Sequence, residues 1–67
     1  MMLRAPLFDV LKLSLEDGTA EIVYHIADLT EAEHRCRRMN LVMQRGQLAM
    51  IWFIRHPTNP VKYEVPT

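Results

Sequence analysis

Leu48-Ala49-Met50-Ile51-Trp52-Phe53-Ile54 is a run of seven apolar residues, and its reading as strand or helix decides the fold of this 67-residue chain. A strand with one face in water alternates apolar and polar residues, so an unbroken run asks for cover on both faces. Ile51, Trp52, Phe53 and Ile54 favour extended structure and Pro57 closes the segment, which predicts a strand over 48–56. The rival reading carries a helix through Gly46 to His56. It costs about 1 kcal/mol for an interior glycine, and it stays open.

Upstream, Leu11, Leu13 and Leu15 alternate with Val10, Lys12 and Ser14, the period of two of a strand. Asp17-Gly18 supplies a tight turn. From Ala20 to Ala27 the alternation resumes, with Ala20, Ile22, Tyr24 and Ile26 on the apolar side and Glu21, Val23 and His25 on a mixed one. These segments predict an antiparallel hairpin over 8–27. Thr30 and Glu33 have the spacing of a capping box. After them Ala32, Cys36, Met39 and Met43 fall on one stripe with Val42 beside it, and Gly46 is the expected left-handed terminator. The predicted helix covers 31–45, supported by acid-first pairs Glu31/Arg35 and Glu33/Arg37. Past the turn residues Pro57, Thr58, Asn59 and Pro60, the alternation of Val61, Tyr63 and Val65 with Lys62 and Glu64 predicts a short edge strand over 61–65.

The expected fold is therefore a small single α+β domain over 1–67, in ββαββ order, with an antiparallel sheet, one helix packed on one face, and an N-terminal extension over 1–6. A chain of this size buries only about 60% of its unfolded surface, so association helps it. One helix covers one face. If Leu11, Leu13, Leu15, Ile22, Tyr24 and Ile26 face it, the other side shows Val10 and Val23. Either Met50, Trp52 and Ile54 or Ala49, Ile51 and Phe53 join them there. Such a patch marks an interaction site unless residues 1–7 or the last strand fold over it.

Composition narrows the function classes. Half the residues are apolar and a quarter charged (49% and 24%), the balance of an ordinary globular chain. No apolar stretch reaches the ~20 residues that span a bilayer, and Asp9, Lys12 and Ser14 interrupt any leader-like block, so no membrane association and a cytoplasmic location are expected. The single cysteine, Cys36, excludes an intrachain disulfide. His34 lies two helical positions from it, about 200° around the axis, too far round for a Cys-His couple. His25, His34 and His56 have no metal-ligand spacing, and with only Gly18 and Gly46 there is no phosphate-binding loop. Neither an enzyme nor a cofactor is expected.

Charge and apolar surface remain. Residues 1–33 carry seven acids against two bases, and residues 34–67 one acid against six bases, with zero net charge overall. Arg35, Arg38 and Arg45 on the predicted helix could grip phosphates or an acidic protein. Trp52, Phe53 and Ile51 on the apolar run, with Leu41 on the helix, are the candidate anchors of a protein contact. The leading expectation is a non-catalytic protein-binding module that inhibits or modulates a larger partner, with a homodimer as one form of the contact. A nucleic-acid-binding regulator using the basic helix is the alternative. In architecture alone, a hairpin followed by one helix and more sheet in about 60 to 70 residues resembles several small phage-encoded inhibitors of host machinery, some anti-CRISPR proteins among them. The resemblance implies an inhibitor that binds protein.

Overall fold

The first two strands, β1 (Phe8–Ser14) and β2 (Ala20–Ile26), pair antiparallel around a loop in which Gly18 takes φ +74°. The loop is longer than a two-residue turn. Gly18 N–H donates to the Ser14 carbonyl and Ser14 N–H to the Thr19 carbonyl, while Asp17 accepts from both the amide and the hydroxyl of Thr19. The structure, a computed structural model, describes residues 6–66, so most of the expected extension over 1–6 lies outside the described residues.

Helix α1 (Leu29–Arg45) follows, then β3 (Met50–His56) and β4 (Asn59–Glu64). All neighbours are antiparallel, in the order β2-β1-β3-β4. The apolar run is a strand, and the α+β, ββαββ reading holds. Its bounds shift at several ends. Leu48 and Ala49 precede β3, and β4 begins at Asn59, directly across the Pro57-Thr58 turn from His56.

Both expected helix caps are corrected. The N-cap is Asp28, whose carboxylate accepts from Thr30 N–H at 3.1 Å, so the helix starts two residues before the predicted position. Aspartate caps as well as threonine, and the earlier start adds two residues, one of which, Leu29, packs partly buried against the core. At the other end Gly46 is not left-handed: its φ is −82°. Gln47 takes the positive φ, +54°. Leu48 N–H reaches the Met43 carbonyl and Gln47 N–H the Gln44 carbonyl, the paired bonds of a Schellman ending.

The helix lies chiefly over β3. Val10, Ile26, Ala32, Cys36, Trp52 and Ile54 form the buried cluster, with Phe8, Val23, Leu29, Met39 and Met43 packed on it. This reverses the expected facing of β1: Val10 points to the helix, and Leu11 and Leu13 point away. Packing against the helix chooses between these two apolar sets, and a bulge in β2 adds a second shift. Val10 pairs with Tyr24 but Leu11 with Ile22, leaving Val23 as the extra residue. Ile22 therefore leaves the side shared by Tyr24 and Ile26, because an inserted residue shifts the period-two alternation by one. Val42, expected beside the buried stripe, is 53% exposed.

One polar side chain ties helix to sheet. Asn40 accepts from Trp52 N–H at 2.7 Å and donates to the Trp52 carbonyl at 2.9 Å, as a neighbouring strand would, and donates also to the Pro66 carbonyl at 3.0 Å. It closes the edge of β3 where the pairing with β4 does not reach.

Candidate functional site

Opposite the helix, the register sets side chains in rows across the sheet. His25, Asp9 and Arg55 make one row, continued on β4 by Tyr63. Ile22, Leu11 and Phe53 make the next, and Ala20, Leu13 and Ile51 the third. Leu11 at the centre is only 6% exposed, but Ile22 and Tyr63 are 43% and 57% exposed. Tyr63 meets Phe53 edge to face at 5.7 Å. The result is an apolar block with an aromatic corner and a charged row at one end.

That charged row is held firmly. Asp9 accepts from Arg55 at 2.7 Å and 3.1 Å and lies 2.7 Å from His25 Nδ1. Partial burial pushes the Asp9 carboxyl up, and the hydrogen bonds from Arg55 and His25 outweigh it, leaving Asp9 below its ordinary value.

A second feature lies on the other side of β2. Tyr24, Arg35, Arg38, Met39 and Val42 line an open groove of about 250 Å³ between β2 and α1. Arg35 donates to Glu31 at 3.2 Å and lays its guanidinium 5.0 Å from the Tyr24 ring centre. Among the described residues neither Arg38 nor Arg45 has an ion-pair partner.

The expected contact residues thus divide. Ile51 and Phe53 lie on the sheet face that is bare among the described residues, Arg35 and Arg38 line the groove, and Leu41 is exposed on the outer helix beside Arg37 and Gln44. Arg45 stands in the last helical turn. Trp52 does not belong with them: it is 7% exposed, beneath the helix, because its neighbours in register and its Asn40 tie place it on the covered side. Among the described residues its indole N–H is buried without a partner. Asn40 carries a usable sequence signal for this tie, a polar residue four positions after Cys36 within an apolar helical stripe.

The reactive groups are spoken for by packing. Cys36 is fully buried, and burial, with the charge of Glu64, pushes its thiol up to about 11. Glu33 turns to Glu64 rather than pairing with Arg37 as expected. The interaction between these two carboxyls raises Glu33 and lowers Glu64. His56 Nε2 lies 3.4 Å from Glu64, an ion-pair distance with no hydrogen-bond geometry. Among the described residues no three of His, Cys, Asp and Glu are grouped to hold a metal ion, and no helix is long and apolar enough to cross a membrane. No family model matches the chain, and no curated protein and no solved structure matches it.

Proposed function

We propose that the chain is a non-catalytic protein-binding module that docks on a larger protein through the bare face of its sheet. The observation that carries this reading is the apolar block of Leu11, Leu13, Ile22, Ile51 and Phe53, bordered by the Asp9, His25 and Arg55 row. An apolar centre with a polar border is the usual layout of a protein interface. The Phe53 and Tyr63 pair supplies aromatic anchors. Asp9 holds Arg55 in place before any partner arrives, which lowers the ordering cost of binding. Inhibition or modulation of that partner, in the manner of small phage-encoded inhibitors, extends the reading by architecture alone.

The alternative, a nucleic-acid-binding regulator, draws on Arg38 and Arg45, which have no ion-pair partner among the described residues. It predicts complexes with DNA or RNA at low salt that weaken steeply as salt rises. Arg35 is less free for such a role, being bonded to Glu31 and stacked on Tyr24.

The test compares tagged wild type with the double variant Ile22→Lys/Ile51→Lys in a pull-down from the native host, with light scattering beside it. Expected is a protein retained by wild type and lost by the variant, both showing the same circular dichroism spectrum. Equal recovery overturns the reading. A dimer of the wild type that the variant loses reassigns the face to a second copy of the chain.

A further inference from the structure

We infer that the groove between β2 and α1 is a second contact site, which takes an acidic segment of the partner carrying an apolar side chain beside its carboxylate. The inference rests on the protein-binding reading but uses a different surface. Because α1 is tied to β3 through Asn40 and Trp52, it leaves the helix side of β2 partly uncovered. Tyr24 there is 41% exposed and Val42 53%.

Each wall of the groove has a distinct role. Arg35 is already fixed by Glu31 and by the Tyr24 ring, so it acts as a rigid wall and leaves the segment's carboxylate to Arg38. Arg38, with no ion-pair partner among the described residues, presents a planar fork that matches a carboxylate with two parallel hydrogen bonds. Met39 and Val42 supply an adaptable apolar floor for the adjoining side chain. At about 250 Å³ the groove has room for a few side chains of a segment.

Two competing occupants fit less well. Single-stranded nucleic acid needs an open aromatic face for base stacking, and the Arg35 guanidinium already lies over Tyr24. A strand added along β2 needs a regular edge, and the bulge at Val23 interrupts it. The segment is therefore gripped by side chains.

The probe is a fluorescein-labelled glycine-rich peptide with a central Asp-Phe-Asp, followed by anisotropy at low salt. Its controls are the Asn-Phe-Asn peptide and a labelled oligothymidine. Expected is binding of the acidic peptide, weaker by about tenfold or more for the asparagine peptide, and lost in Arg38→Glu and in Val42→Asp. Arg38→Lys keeps part of it. All variants retain the circular dichroism spectrum of the wild type, and Ile51→Lys binds the peptide as wild type does. Equal affinity for the two peptides, no loss on Arg38→Glu, or tighter binding of oligothymidine overturns the inference. Absent peptide binding with partner capture that still depends on Ile51 removes the groove and leaves the module reading standing. Peptide binding that persists while capture ignores Ile51 does the reverse.

Discussion

On the covered face of the sheet Val10, Trp52 and Ile54 are at most 7% exposed, whereas on the bare face Ile22 and Tyr63 stand at 43% and 57%. Residue types do not explain the contrast, since both faces are built from aliphatic and aromatic side chains. What differs is the cover: the helix brings Ala32, Cys36, Met39 and Met43 to one side only. Even so, Leu11 on the bare side is as hidden as Trp52, because Ile22 and Phe53 flank it in its own row. A sheet face can shield its centre unaided. It cannot shield its margins, and those margins are the surface offered to a partner.

The contrast is most easily broken by truncation. Trp52→Ala is expected to cost about 3–5 kcal/mol, the range for removing a buried aromatic ring, enough to leave a chain of this size largely unfolded. Phe53→Ala, one residue along on the half-covered side, should cost about 1–2 kcal/mol. Trp52→Phe keeps most of the ring volume and loses an N–H that has no partner among the described residues, so it should cost about 1 kcal/mol or less. Urea unfolding followed by circular dichroism measures all three. Similar costs for Trp52→Ala and Phe53→Ala would mean that the two faces are equally packed in solution.

A smaller effect sharpens the description of the bare face at its charged end. Asp9→Asn should remove about 1 kcal/mol, since the Arg55 and His25 partners are both partly exposed and solvent screens the interaction. The sign of its pH dependence is fixed. The folded state holds Asp9 below the ordinary 3.8, so its contribution is present above that value and is lost as pH falls through the folded value. The stability difference between wild type and Asp9→Asn should shrink below about pH 4. A difference that persists in acid would mean that the row is held by neutral hydrogen bonds rather than by charge.

How much of this was legible in the sequence depends on the range of the interaction that decides each feature. The hairpin, the helix and the strand reading of the apolar run follow from local periodicity and turn residues, and they stand, with the strand beginning only at Met50. The facing of β1 was not legible, because Val10 and the Leu11/Leu13 pair are both apolar and only helix packing chooses between them. The bulge at Val23 compounds this, since nothing local in Ile22-Val23-Tyr24 marks a shifted register. Which alternate set of the apolar run meets the helix is open in the sequence for the same reason, and packing puts Trp52 beneath it. Ile51, Phe53, Arg35 and Arg38 did reach surfaces, the first two from the continuity of the apolar run and the others from helical spacing. The Glu33 and Glu64 contact joins residues far apart in the chain, and helical spacing favoured Arg37 instead.

The smallest expected change sets a background against which both faces can be compared without loss of fold. Gln47 holds φ +54° at the end of α1, a conformation that glycine adopts without strain and a residue with a Cβ does not. Gln47→Gly should therefore stabilise the chain by about 1 kcal/mol, while Gly46→Ala, at φ −82° and with ordinary contacts of 3.4 Å or more around an added Cβ, should change little. Thermal unfolding distinguishes the two. If Gly46→Ala proves the more disruptive and Gln47→Gly is neutral, the helix ends in solution at Gly46, and the tie through Leu48 to Met43 that feeds the chain into β3 is not formed. If Gln47→Gly stabilises, it gives a background in which Phe53→Ala and Ile51→Lys probe the bare face with stability to spare, so a loss of binding can be read as a loss of surface.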